Sequence, residues 1–132
     1  MEEKGTIIWN ELVTADQKKA GDFYSGLLGW TRKEVDAGPL GTYTLFQKDG
    51  KDVAGMMNPT ATDYEQASKP PRWNAYIAVD NIDEVTARVT ELGGRVLELV
   101  NDVPGTGKIS MIADPTGAMI LLMQPEPTPE NP

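Results

Sequence analysis

Glu11 is the residue of this sequence that most invites a chemical role. The chain contains neither histidine nor cysteine. Catalytic sets of the Ser-His-Asp or Cys-His kind are therefore excluded, as is the commonest proton shuttle at neutral pH. Catalysis has to come from carboxylates, Lys, Tyr, backbone dipoles or an all-oxygen metal site. Glu11 lies in Ile7 to Val13, which reads as a strand with Trp9, Glu11 and Val13 on one face and Ile8, Asn10 and Leu12 on the other. If the first face lines a cavity, burial would raise the Glu11 pKa and suit it to general acid or base work. The other reading is a carboxylate tied up by a local hydrogen bond or ion pair, or facing water. Both stay open at this point.

Tyr43, Met56, Trp73, Tyr76, Met111 and Met123 are the further candidates for lining a pocket. Apolar and aromatic walls with a few polar groups suit a small-molecule site, and methionine adapts to varied shapes. Core filling is the competing reading for each. Gly105-x-Gly107-Lys108 lacks the full spacing of a phosphate-binding loop and a following helix, so it reads as a hairpin turn. Asp80 and Asp83 sit at a helix start, where capping explains them.

With 132 residues the chain has the length of one domain. Its formal charge of -8 argues against nucleic acid or an anionic membrane as partner. Met1 to Gly5 lacks an apolar signal-peptide region, and the longest apolar run, Met119 to Met123, is too short to cross a bilayer. The expected location is the cytoplasm.

The elements that must position these residues follow from pattern and punctuation. After the first strand, Thr14 and Asp16 are N-cap candidates. Ala20, Phe23, Tyr24, Leu27 and Leu28 form a helical stripe that reads as core-facing, ended by Gly29. Strands are expected over Thr31 to Asp36, Thr42 to Lys48 and Val53 to Met57, with Asp49-Gly50 as a hairpin turn. Asn58 to Pro71 reads as a connector. Then the order repeats: a strand over Trp73 to Val79 and a helix capped by Asn81 with Glu84. That helix carries the stripe Ile82, Val85, Val89 and Leu92 and stops at Gly93-Gly94. Strands follow over Arg95 to Val100, Lys108 to Ala113 and Ala118 to Gln124. Two β-α-β-β-β units of about 60 residues organise the chain. Pro125 to Pro132 reads as a disordered tail.

Three stretches carry a resemblance. They are Trp9-Asn10-Glu11-Leu12 with Phe23-Tyr24 and Leu27-Leu28-Gly29-Trp30; Tyr76 to Asn81 with Leu92-Gly93-Gly94; and Asp102 to Gly107 with Asp114-Pro115-Thr116-Gly117-Ala118. In this order and spacing they resemble the vicinal-oxygen-chelate superfamily of glyoxalases, bleomycin resistance proteins and extradiol dioxygenases, and within it a glyoxalase-related bacterial subgroup. The resemblance covers Thr6 to Pro125. It implies an α+β fold of two βαβββ modules paired into an open half-barrel, with ligands held in the cup. Module one would span 5–58, the connector 59–71, module two 72–125 and the tail 126–132. The resemblance also implies a homodimer.

Metal-using members that the chain resembles place His, Gln or Glu on the first strand of each module and late in the final strands. Counting from Asp16, the first position falls on Trp9. The matching place before Asn81 falls on Asn74, the one after the Asp114 turn on Leu121, and the fourth around Met56. Tryptophan and leucine cannot ligate a cation, and asparagine is a weak neutral ligand. No metal and no cofactor are therefore expected, and standard metal-dependent glyoxalase or dioxygenase activity is not expected either. The leading expectation is a metal-free binder of a small hydrophobic or aromatic molecule. An enzyme of lyase, isomerase or epimerase type, with Glu11 as base on a carbonyl substrate, is the alternative. A non-catalytic dimeric scaffold is the third.

Overall fold

The computed structural model describes residues 4–36, 41–59, 71–103 and 106–126. Both β-α-β-β-β repeats are present. The first comprises β1 (Ile7–Val13), α1 (Gln17–Leu28), β2 (Thr31–Asp36), β3 (Thr42–Lys48) and β4 (Lys51–Met57). The second comprises β5 (Arg72–Ala78), α2 (Ile82–Val89), β6 (Arg95–Val103), β7 (Gly107–Ala113) and β8 (Met119–Pro125). β4 starts before the expected Val53 and β6 runs past Val100, because ladder pairs with β3 and β7 extend them. The expected turns at Gly38-Pro39 and Pro104-Gly105 lie outside the described residues, as do 60–70 of the connector and 127–132 of the tail.

Two compact units result, one of Trp9–Asn74 and one of Met1–Ile8 with Ala75–Pro132. In the first, the strand order is β2-β3-β4-β1, antiparallel except for the parallel β4–β1 pair. In the second, the order is β5-β8-β7-β6, antiparallel except for the parallel β5–β8 pair. Residues before β1 join the second unit through backbone bonds from Gly5 N to Ala78 O (2.8 Å) and from Ala78 N to Thr6 O (3.0 Å).

Local chemistry accounts for the ends of the elements. Asp16 caps α1 by accepting from Lys19 N, and Gly29 closes it in the left-handed conformation at φ 72°. Asp49 and Gly50 both take positive φ, at 52° and 79°, as a tight hairpin turn requires. Asn81 caps α2 by accepting from Glu84 N at 3.1 Å. The Asp114 carboxylate closes the β7–β8 turn by accepting from Thr116 N (2.8 Å), Thr116 Oγ1 and Ala118 N. The Thr116 hydroxyl, and then these amides, hold its carboxyl below the usual range.

Each unit buries one sheet face under its helix. In the first, Leu12, Phe46, Ala54 and Met56 form the core, with Ala20, Tyr24 and Trp30 packed on them. In the second, Val79, Ile82 and Leu122 do so, with Ile77, Val100 and Ile112. The stripe expected to bury α1 is corrected here. Phe23 is 59% exposed and Leu27 64%, and Leu28 is also exposed. The inward arc runs through Gln17, Ala20, Gly21 and Tyr24, and Phe23 and Leu27 lie roughly 70–110° around the helix from its centre. Two contacts set that rotation. Thr44 Oγ1 donates to Gln17 Oε1 at 3.2 Å, and the Arg32 side chain fills the space beside Gly21 while bonding Asp22 at 2.9 Å. In α2, likewise, Ile82 and Val89 are buried whereas Val85 is exposed, as is Leu92 in the turn beyond the helix.

Two predictions follow from these assignments. Asn81→Ala should cost about 1 kcal/mol in urea denaturation at unchanged m-value, with Asn81→Asp largely retaining stability. Leu27→Gln should stay within about 0.5 kcal/mol of wild type, as expected for an exposed helix position. A loss of several kcal/mol there would place Leu27 in the core.

Candidate functional site

The sheet face turned away from α1 in the Trp9–Asn74 unit carries the polar chemistry. Strand alternation puts Trp9, Glu11 and Val13 of β1 on this face, opposite to Leu12. Glu11 pairs with Gly55 across the parallel β1–β4 ladder, and Gly55 pairs with Leu45 across β3–β4. Tyr43 shares the face with Leu45, two residues along β3.

Gly55 is what lets these groups meet. A Cβ at this position would overlap the phenol oxygen and the adjoining ring carbon of Tyr43. The ring therefore lies directly across bare backbone, a close approach that only glycine permits within a strand. The Trp9 indole Nε1 donates to the Tyr43 hydroxyl at 2.9 Å and fixes the ring in that place. Trp9 and Tyr43 are half-buried, and Glu11 is only 3% exposed.

Burial pushes the Tyr43 phenol well above its ordinary value, and the Glu11 carboxylate adds to the rise. The Trp9 hydrogen bond opposes it but does not cancel it. Tyr43 is consequently a neutral O–H group throughout the physiological range. Its oxygen accepts from the indole, and its own proton is left to donate.

The other sequence-derived candidates divide by face and by unit. Met56 pairs with Leu12 and Thr44 and is 1% exposed in the helix-side core, on the opposite face from Glu11. In the β4 register Gly55, not Met56, lies beside Glu11. Trp73 is likewise placed away from Tyr43. Its indole donates to the Tyr24 hydroxyl of α1 at 3.1 Å, and the two rings meet edge to face at 5.5 Å. Asn74 is buried, and its Oδ1 accepts from Arg72 Nε at 2.9 Å. In the other unit, Tyr76 pairs with Leu121, Leu121 with Met111, and Ala78 with Met123. Register thus gathers Tyr76, Met111, Leu121 and Met123 on one face, away from Ile77 and Leu122 under α2. All four are buried.

The side chains at the superfamily's metal positions do not fit a cation. The Trp9 indole nitrogen is a donor already engaged with Tyr43, Leu121 is hydrocarbon, Asn74 Oδ1 is engaged by Arg72, and Met56 faces the other way. Among the described residues no three His, Cys, Asp or Glu side chains come together as a metal-holding group. Likewise, among the described residues no helix is long and apolar enough to cross a membrane.

Two features escaped the sequence reading. Gly55 was legible only as a glycine inside the run Val53 to Met57. A concavity of about 480 Å³ beside α2, lined by Val85, Arg88, Leu92, Ile112 and Pro115 among others, includes none of the candidates.

Comparison with known proteins agrees with this architecture. The family model described as Glyoxalase/Bleomycin resistance protein/Dioxygenase superfamily matches residues 6–122. The chain is 37% identical over 123 residues to the anthracycline biosynthesis protein DnrV of Streptomyces peucetius, covering 86% of this chain and 45% of DnrV. It thus spans about half the length of the curated relatives it matches. The structure of methylmalonyl-CoA epimerase from Mycobacterium tuberculosis superposes with a TM-score of 0.63 at 20% identity, covering 96% of this chain and 94% of that one. A variant of the Streptomyces coelicolor methylmalonyl-CoA epimerase, in complex with 2-nitronate-propionyl-CoA, gives 0.63 at 15% identity, covering 95% of this chain and 100% of that one. These two likenesses speak for the fold.

Tyr43 and Gly55 can be tested directly. A raised folded-state pKa stabilises the protein fully below the unfolded value of about 10, and that contribution is lost as pH rises above it. In an alkaline titration followed by phenolate absorbance, Tyr43 should ionise only as the protein unfolds, and Tyr43→Phe should remove that step. Gly55→Ala should displace the ring and cost about 1–3 kcal/mol in urea denaturation. A fully stable variant would show that the ring does not lie on this glycine.

Proposed function

This chain belongs to the glyoxalase/bleomycin resistance protein/dioxygenase superfamily, and from that premise we propose that it binds a small hydrophobic or aromatic molecule without a metal. The proposed binding face is that of Trp9, Tyr43 and Gly55. The observation that carries this reading is the Tyr43 phenol lying over Gly55 and hydrogen-bonded there by the Trp9 indole. Two half-buried aromatic side chains, held rigid by one hydrogen bond, offer a flat apolar surface at little entropic cost on binding. The first metal position of the superfamily is spent on this pair, which supports binding rather than metal chemistry. DnrV, named for anthracycline biosynthesis, is a relative compatible with an aromatic ligand. The proposal includes a homodimer, as the family resemblance implies, and a cytoplasmic location, as the sequence suggests.

A second reading is supported by the buried Glu11 carboxylate beside a phenol that stays protonated. In it, Glu11 takes a proton from the carbon next to a substrate carbonyl, and the electron pair moves onto the carbonyl oxygen. Return of the proton from the carboxyl group to a neighbouring atom of the enolate completes an isomerisation, and protonation of the same carbon on its opposite face by a second acid completes an epimerisation. The epimerases among the structural neighbours suit this alternative at the level of fold.

Calorimetric titration with naphthalene tests the first reading. Saturable binding is expected, weakened about tenfold or more in Trp9→Ala, equivalent to about 1.4 kcal/mol of lost aromatic contact. Equal affinity in that variant would move the site elsewhere, the concavity beside α2 being the next place to look. For the second reading, proton exchange at the α-carbon of a bound ketone is followed by NMR. Exchange should follow a single acidic limb with pH and vanish in Glu11→Gln, and an unaltered rate there would remove Glu11 from the chemistry.

A further inference from the structure

We infer that Tyr43 is the ligand-orienting donor of this face, and that Glu11 makes the site selective for neutral ligands bearing a carbonyl-type acceptor oxygen over anionic ones. The inference rests on the small-molecule reading above and names the ligand class within it.

The Trp9 N–H occupies one acceptor direction of Tyr43 at 2.9 Å. The hydroxyl hydrogen must then lie away from the indole, because an oxygen accepting along one direction donates along another. The ring itself has little freedom, since it lies across the bare Gly55 backbone. Orientation of the donor is therefore set before any ligand arrives. A ligand oxygen that meets it forms a hydrogen bond without the cost of ordering the side chain.

Charge then decides which oxygen is accepted. Glu11 is the register partner of Gly55, the residue that the phenol covers, and adjacent strands lie about 4.8 Å apart. A buried carboxylate is thus a neighbour of the phenol across the β1–β4 ladder. An anionic ligand oxygen placed on the phenol would face this charge in a poorly solvated setting, where repulsion is weakly screened. An aldehyde, ketone or quinone oxygen accepts the same hydrogen bond without that repulsion. Sequence alone distinguishes none of this, since Tyr43 and Glu11 are 32 positions apart (43 minus 11) and meet only through β4.

The test uses three probes with one ring system: naphthalene, its carbaldehyde and its carboxylate. Calorimetric affinities are read as ratios within each protein, so that general losses of stability or ring contact cancel. In wild type the carbaldehyde should bind roughly 3–10-fold tighter than naphthalene, the range of one neutral hydrogen bond. It should also bind at least about tenfold tighter than the carboxylate. In Tyr43→Phe the carbaldehyde-to-naphthalene ratio should collapse to about one. In Glu11→Gln the discrimination against the carboxylate should largely disappear. Trp9→Phe, which keeps an aromatic ring but removes the N–H, should lower the carbaldehyde preference part of the way. A wild-type preference that survives in Tyr43→Phe overturns the donor assignment. Equal binding of carboxylate and carbaldehyde by wild type overturns the selectivity. If naphthalene binds and neither preference exists, this inference fails alone. If no probe binds, the small-molecule reading fails and takes the inference with it.

Discussion

The absence of a side chain at Gly55 is the constraint on which the polar face of the Trp9–Asn74 unit depends. A phenol ring can cross a strand at that distance only where the backbone is bare. Once the ring is there, its hydroxyl comes within reach of the Trp9 indole on β1, two strands away. The same placement keeps the phenol partly out of water and near the Glu11 carboxylate, which is why it resists ionisation. One missing methyl group thus couples three strands.

The opposite face of that unit obeys different rules. Its core is hydrocarbon, and its aromatic groups gather around Tyr24. That ring stacks on Trp30 at 5.8 Å and meets Phe46 and Trp73 edge to face at 6.1 Å and 5.5 Å. Tyr24 accepts from the Trp73 indole much as Tyr43 accepts from that of Trp9. The two indole–phenol pairs differ in their surroundings. The Tyr24 pair closes a helix against a sheet, whereas the Tyr43 pair adjoins a buried carboxylate. That difference makes only the second a candidate for ligand chemistry.

The repeated βαβββ unit explains why metal positions can be lost without loss of the fold. Each unit is held by strand ladders and a helix-side core, and of the four positions Met56 enters such a core, as an apolar side chain. Trp9, Asn74 and Leu121 instead enter an indole–phenol bond, an arginine–amide bond and an apolar strand face.

Periodicity and punctuation in the sequence determined the elements, because strand alternation, helix caps and glycine stops are local. Asp16, Gly29, Asp49-Gly50 and Asn81 act where their types predicted. The motifs also sufficed for the family, and the lack of histidine and cysteine alone excluded whole classes of catalysis. What only tertiary structure decided was facing and pairing. The sequence could not tell which arc of α1 turns inward, because Phe23 and Leu27 fit a helical stripe as well as Ala20 and Tyr24 do. Contacts from Arg32 and Thr44, distant in sequence, chose the rotation. Nor could it tell that Met56 and Trp73 belong to the helix side, or that Gly55 brings Tyr43 to Trp9 and Glu11. Those outcomes depend on inter-strand register, and moving a strand by one residue reverses every side chain it carries.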